Sequence, residues 1–170
     1  MKSVLLIRHA KSSWDDPLMS DFDRPLNERG KKDAPQMAKY LLQKDIPIDC
    51  FISSPAKRAK KTALHFIAEY GLKSDNIILK SELYLPSEEI FFDVIESAPE
   101  EFSHLAIFAH NPGITHFVNL LTDKIRVDDV PTCGIFGVKA DIQHWKDFRK
   151  ATKAFWFFDY PKKIIRNYPM

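Results

Sequence analysis

The stretch LLIRHA, residues 5–10, decides the fold, because an aliphatic run ends there in two adjacent residues that carry or can carry positive charge. A continuous apolar run is typical of a strand buried on both faces, as in a parallel sheet covered by helices. Successive side chains of a regular strand point to opposite faces, so Arg8 and His9 can share a site only where the strand ends. Their placement costs stability unless they bind something.

Further apolar runs alternate with segments of helical period along the chain. The predicted strands are residues 3–7, 49–53, 76–79, 104–109, 134–139 and 154–160. Predicted helices cover residues 27–43 and a segment around 63–70, and two more begin after Ser87 and near Pro112. This alternation predicts an α/β fold, a single three-layer α/β/α domain over residues 1–170 with a mostly parallel central sheet.

Composition and charge narrow the class of partner. The chain has 170 residues and a formal net charge of +2, and neither sign forms a block, so nucleic acid and membrane surfaces are not favoured. No run approaches the roughly 20 apolar residues of a membrane span, and residues 4–7 are too short for a signal-peptide core. Cys50 and Cys133 lie outside any disulfide or metal-ligand spacing. We therefore expect two ordinary thiols in a reducing, cytoplasmic compartment.

Cationic or imidazole side chains also follow two other predicted strands. Arg58 lies a few residues past the second strand, at the start of a helix, and His110 ends the fourth strand. Ligands of open α/β sheets bind at the carboxyl ends of parallel strands, so Arg8, His9, Arg58 and His110 should converge. Helix N-termini add N–H donors, and the Ser12 hydroxyl is a further candidate donor. The predicted crevice suits an anion with several oxygens, most simply a phosphoryl group.

The motif RHAKSSW, residues 8–14, resembles the RHG signature of the histidine phosphatase superfamily, which has the phosphoglycerate-mutase-like fold. Three further segments of that family recur in the same order, namely RPLNERGKKDA, ISSPAKRAKKTA and AHNPGI. The resemblance covers roughly residues 2–121. The segment DFDRPLNERG and the short chain are most similar to the SixA-type phosphohistidine phosphatases.

The resemblance implies a role for each residue of the predicted crevice. His9 would be the nucleophile, Arg8 and Arg58 would hold the phosphoryl oxygens, and His110 would be the second active-site histidine. A neutral imidazole is a good nucleophile near pH 7 when one ring nitrogen is held as a donor. Two guanidinium groups and the second imidazole would stabilise the transferring phosphoryl group. We therefore expect a phosphatase that needs no metal or other cofactor and passes through a phosphohistidine intermediate.

The chain departs from the family pattern at several positions. Ala10 replaces the usual Gly, and Asp15 stands where many members carry a phosphate-contacting Asn, so we leave Asp15 outside the contact set. Many relatives carry a glutamate general acid after the third strand, where this chain has Leu85 and Pro86. Glu82 is the nearest candidate acid. A weak or missing acid favours a leaving group that needs little protonation, such as the imidazole of phosphohistidine rather than a sugar alkoxide.

Phosphohistidine on a protein is therefore the predicted substrate. The short chain leaves little sequence for a lid, and an open crevice suits a phosphorylated side chain of a partner protein. Three alternatives remain: a phosphatase for small phosphoesters, a phosphoglycerate-mutase-like enzyme, and a non-catalytic phosphate- or phosphoprotein-binding module. The intact set of two arginines and two histidines argues against the last of these.

Overall fold

The computed structural model describes the backbone of residues 1–167 and the side chains of residues 1–164. The strands are β1 (Lys2–Arg8), β2 (Cys50–Ser53), β3 (Ile77–Leu79), β4 (His104–Ala109), β5 (Ile135–Ala140) and β6 (Lys153–Asp159). The α-helices are α1 (Glu28–Gln43), α2 (Lys57–Glu69), α3 (Glu88–Glu96), α4 (Gly113–Leu121) and α5 (Pro161–Asn167). All six predicted strands are present. The last three residues of the predicted domain, 168–170, lie outside the described part of the chain.

The six strands form one sheet in the order β3-β2-β4-β1-β5-β6. Strands β3, β2, β4 and β1 are parallel to one another, β5 is antiparallel to β1, and β6 is antiparallel to β5. Five strands therefore share one direction, and the predicted mostly parallel sheet is confirmed. The reversal of β5 follows from residues 122–134, which return the chain to the carboxyl edge of β1 before β5 begins.

Helices cover both faces of the sheet, and β1 shows why its sequence is continuously apolar. Val4 and Leu6 belong to the core under α3 and α4, whereas Leu5 and Ile7 belong to the core under α1 and α2. All four of these side chains are buried. The three-layer α/β/α arrangement is thus confirmed. No helix of the described residues is both long enough and apolar enough to cross a membrane.

Two close backbone approaches fix the loops at the carboxyl edge of the sheet. Gly30, in the first turn of α1, leaves no room for a side chain because the Lys11 carbonyl oxygen lies against it. Gly113, the first residue of α4, is crowded in the same way by the Pro86 carbonyl oxygen. The Asn27 side chain caps α1 by accepting the Gly30 N–H at 2.9 Å. The segments that follow β1 and precede α3 are therefore held beside helix N-termini.

Candidate active site

The predicted site residues meet at the carboxyl edge of β1, β2 and β4. His9 follows β1, His110 follows β4, and their ring centroids are 5.2 Å apart. Arg58, in the first turn of α2, donates from Nε to His9 Nε2 at 3.3 Å. Arg8 is near enough for its charge to act on both histidines. The predicted convergence of these four side chains is confirmed, and their chemical roles remain predictions.

The His9 ring is held in one tautomer. Its Nδ1 lies 2.7 Å from the Ala10 carbonyl oxygen, which can only accept, so Nδ1 carries the proton. The lone pair is therefore on Nε2, the nitrogen that faces the Arg58 guanidinium. The sequence-based mechanism requires this state, in which one nitrogen donates and the other carries the lone pair.

Thr62 ties the His9 loop to the helix that carries Arg58. Its hydroxyl accepts the Ala10 N–H at 2.9 Å and donates to the Arg58 carbonyl at 2.8 Å. The Cys133 N–H also lies 3.0 Å from the carbonyl oxygen of His9. Sequence reasoning missed Thr62. The available signal was a polar residue next to Ala63 on the buried face of an amphipathic helix.

His110 presents an unpartnered nitrogen inside the site. Its Nε2 lies 2.8 Å from Ser54 Oγ, and the same Oγ accepts the Ala56 N–H at 3.2 Å. Because that hydroxyl can still donate, it can satisfy Nε2 and leave the His110 proton on Nδ1. Nδ1 is buried and has no partner among the described residues, and the same holds for Arg8 Nε. Buried donors without acceptors suit an incoming oxyanion.

The Arg8 guanidinium is anchored by the loop that precedes β5. Its Nη1 donates to the Val130 carbonyl at 2.9 Å and lies 3.7 Å from the Asp129 carboxylate. Asn111 supports this loop by donating to Asp129 at 2.8 Å and to Val130 at 3.1 Å. The loop therefore fixes Arg8 beside the two histidines.

A carboxylate that sequence reasoning missed contacts Arg58. The backbone carbonyl of Asp21 accepts a hydrogen bond from Arg58 Nη1 at 2.5 Å, and its carboxylate Oδ2 accepts one from Arg58 Nη2 at 3.0 Å. The Tyr84 hydroxyl donates to the same Oδ2 at 2.5 Å, and Arg24 Nη2 donates to Oδ1 at 3.0 Å. The bond from Tyr84, with those from Arg24 and Arg58, holds the pKa of Asp21 well below its usual range. Asp21 is therefore ionised and orients Arg58.

Ser12 lies at the edge of this group, and its hydroxyl accepts from Arg24 Nη1. The Arg24 guanidinium stacks on the Trp14 ring with 3.7 Å between the guanidinium carbon and the ring centroid. Ser12 retains its own proton for donation, so the predicted contact with a phosphoryl oxygen remains a prediction. Asp15, which we left outside the contact set, is exposed.

The candidate acid Glu82 makes none of these contacts. It lies in a short 3₁₀ turn, Ser81–Leu83, is exposed, and makes no hydrogen bond or ion pair with the described residues. Leu85 is 77% exposed, whereas Pro86 is buried against α4. Tyr84, between Glu82 and these two residues, is the side chain of this segment that reaches the site.

Both histidines of the candidate site are neutral at physiological pH. Burial, followed by neighbouring cationic groups and opposed by the bond to Ala10, lowers the pKa of His9 to about 3. Burial and the charge of Arg58 likewise lower the pKa of His110 to about 3. A neutral His9 is the reactive form of a nucleophilic imidazole.

These lowered pKa values predict acid sensitivity of the fold. Histidine in the unfolded chain titrates near pH 6.5. Below that pH the unfolded chain binds protons, whereas His9 and His110 in the folded protein stay neutral, so the free energy of unfolding falls as the pH drops towards 3. For two such groups the free energy of unfolding should fall by up to roughly 2.7 kcal/mol per pH unit. Urea denaturation between about pH 7 and about pH 4.5, in buffers without phosphate, measures the slope. The double variant His9→Asn/His110→Asn should show a clearly shallower slope, and an equal slope would contradict the prediction.

Comparison with known proteins places this geometry in a family. Residues 4–112 match the sequence profile described as the Histidine phosphatase superfamily (branch 1). The chain is 39% identical over 129 residues to an uncharacterised chloroplastic protein of Arabidopsis thaliana, covering 71% of this chain and 59% of that protein. It is 33% identical over 107 residues to phosphoserine phosphatase 1 of Hydrogenobacter thermophilus, covering 60% of this chain and 49% of that protein. The chain thus spans about half the length of these relatives.

A solved structure shows the same fold over nearly the whole chain. The protein histidine phosphatase SixA in complex with tungstate superposes with a TM-score of 0.80 at 21% identity, covering 95% of this chain and 99% of that one. Fold and sequence therefore define a phosphoglycerate-mutase-like α/β protein. The chain belongs to the histidine phosphatase superfamily.

Proposed function

We propose that this chain is a phosphatase that removes the phosphoryl group from phosphohistidine on a protein, through transient phosphorylation of His9. The observation that carries this proposal is the state of the His9 ring. Its Nδ1 proton is bound by the Ala10 carbonyl at 2.7 Å, and its Nε2 lone pair faces Arg58 Nε at 3.3 Å. The nucleophilic nitrogen is thus oriented and adjacent to a fixed cation.

Two displacements account for the reaction. First, His9 Nε2 attacks phosphorus, the P–Nε2 bond forms, and the bond to the leaving group breaks. Arg8, Arg58 and His110 would meet the charge on the phosphoryl oxygens. Arg58 has five N–H donors, so it can hold Asp21 and still donate to a phosphoryl oxygen. Water then attacks phosphorus, the P–Nε2 bond breaks with its electron pair returning to Nε2, and inorganic phosphate leaves with the two protons of the water.

The choice of phosphohistidine rests on the leaving group. A sugar or serine alkoxide needs a proton as it departs, and the candidate acid Glu82 is exposed and bonded to none of the described residues. Imidazole is a far weaker base than an alkoxide and needs less assistance. The likeness in fold to SixA supports the same choice.

A small-phosphoester phosphatase is the second candidate. It is favoured by the 33% identity to a relative named phosphoserine phosphatase 1. A mutase-like activity and a non-catalytic phosphate-binding role are further alternatives from the sequence. The reducing, cytoplasmic compartment that the sequence predicts stays a proposal, in which Cys50 and Cys133 would be ordinary thiols.

Substrate preference and metal independence test the proposal together. The purified chain should hydrolyse a phosphohistidine protein with kcat/KM at least about tenfold above alkyl phosphates, roughly 1.4 kcal/mol of transition-state preference. Activity should persist in excess EDTA, and Glu82→Gln should change it by less than about twofold, because an exposed side chain without contacts assists neither step.

Two results would contradict the proposal. If sugar phosphates are cleaved as fast as phosphohistidine and Glu82→Gln removes only the sugar-phosphate activity, Glu82 is a general acid and the substrate assignment is wrong. Strict dependence on an added divalent cation would indicate a different chemistry.

A further inference from the structure

A carboxylate and two aromatic rings line the rim of the candidate site. Asp21, Phe22 and Tyr84 form this rim. The Tyr84 ring lies edge-on to Phe22, with centroids 5.2 Å apart and an interplanar angle of 83°. Tyr84 also packs against His110 at 5.5 Å and 87°. The Tyr84 hydroxyl bonds to the Asp21 carboxylate, so the three residues act as one surface.

The rim adjoins the nitrogen at which a phosphoryl group would be attached. Arg58 connects His9 to the rim, because its Nε donates to His9 Nε2 and its Nη2 donates to Asp21 Oδ2. His9 and His110 are only 6% and 3% exposed, whereas the Asp21 side chain is 52% exposed and Phe22 is 39% exposed. The rim therefore lies on the solvent side of the two histidines.

The chemistry of the rim matches a planar cation with an N–H donor. A carboxylate forms charge-assisted hydrogen bonds with such a group, and aromatic rings favour both cations and edge-to-face packing with other rings. Arg58 and Tyr84 donate to Asp21 Oδ2, while Oδ1 receives Arg24 and retains acceptor capacity. The neutral His110 ring packs edge-to-face against Tyr84, so an imidazole ring fits beside this side chain.

We propose that Asp21, Phe22 and Tyr84 form a leaving-group subsite that binds a protonated imidazole ring. This inference rests on the proposed function and specifies how its substrate is recognised. One ring nitrogen of the substrate carries the phosphoryl group, and the other donates its N–H to Asp21. The aromatic side chains pack against the ring.

The subsite explains how the bond can break without a general acid. As the P–Nε2 bond to His9 forms, the bond between phosphorus and the substrate nitrogen breaks, and its electron pair stays on the ring. The proton already on the other ring nitrogen remains there, so neutral imidazole departs. Asp21 favours this path by stabilising the protonated ring. An alkoxide leaving group has no such N–H and gains nothing from the carboxylate.

Two small substrates test the subsite without a protein partner. N-phosphoimidazole carries the ring and, in its protonated form, the N–H, whereas acetyl phosphate has neither and its leaving group needs no proton. We expect Asp21→Asn to lower the ratio of kcat/KM for N-phosphoimidazole to that for acetyl phosphate by at least about tenfold, because one charge-assisted bond is lost. Tyr84→Ala should lower the same ratio by about threefold to tenfold.

Asp23→Asn is the matched control. Asp23 lies in the same loop and bonds only to Ser20 among the described residues, so the ratio should stay at the wild-type value. Both rates are measured on one preparation, and a partly unfolded variant therefore leaves the ratio unaffected.

The outcomes separate the inference from the proposed function. If Asp21→Asn lowers both rates equally, Asp21 acts only by orienting Arg58, and the subsite is overturned. An unchanged ratio in Tyr84→Ala removes the aromatic part of the subsite. If the wild-type chain hydrolyses neither substrate through a phosphorylated enzyme, the proposed function itself fails.

Discussion

His9→Ala should abolish turnover, with kcat reduced at least about 10³-fold, because the variant lacks the nitrogen that we propose forms the covalent intermediate. Oxyanion binding should survive within about tenfold, since Arg8, Arg58 and His110 remain to satisfy the charge. Phosphatase assays measure the first effect, and calorimetric titration with tungstate measures the second. The two readouts distinguish loss of the nucleophile from loss of the site.

A surface histidine supplies the control for this variant. His116 lies in α4 and is exposed, so His116→Ala should keep wild-type turnover. Near-wild-type activity in His9→Ala would rule out the covalent mechanism.

Arg58→Ala should weaken both turnover and oxyanion binding. Arg58 is 5% exposed, and its guanidinium bridges His9 Nε2 and the Asp21 carboxylate. Its removal deletes a proposed transition-state donor and leaves the Asp21 carboxylate without that partner, so kcat/KM should fall by about 10²-fold to 10³-fold. Arg58→Lys should recover little, because an ammonium cannot reproduce the planar fork.

The adjacent Lys57→Ala is the matched control for Arg58→Ala. Lys57 is exposed, and its contact near the site is a backbone bond to the Phe22 carbonyl, which the substitution keeps. Urea denaturation of each variant separates a loss of stability from a loss of function. An Arg58→Ala protein that binds tungstate as tightly as wild type would exclude Arg58 from the phosphoryl site.

Periodicity predicted most of the fold because the central strands β1, β2 and β4 are almost continuously buried. Strand β1 shows the clearest case, since the side chains of Val4 to Ile7 are all buried and alternate between the two faces of the sheet. The direction of β5 was not predictable from its own residues. It depends on the path of residues 122–134, and an irregular loop carries no periodic signal. Helix α5 has only seven residues, too few for a recognisable helical period.

The candidate site likewise has residues that the sequence locates and residues that it does not. Arg8, His9 and His110 follow directly from strand ends, so the general rule for α/β sheets locates them. Asp21 and Tyr84 lie in irregular segments and reach the site through contacts 37 and 63 positions apart in the chain. Sequence spacing does not encode such contacts. The DFDRPL motif marked the loop as similar to a family without indicating that Asp21 contacts Arg58.

Rapid-quench trapping of the enzyme during turnover tests the central claim most directly. The chain is mixed with a ³²P-labelled phosphohistidine protein, quenched under alkaline conditions that preserve phosphoramidates, and digested for mass spectrometry. The account predicts a phosphoryl group on the peptide that contains His9, which appears and decays at rates at least as fast as turnover. Hydrolysis at the full rate with no label on His9, or label on a different residue, would contradict it.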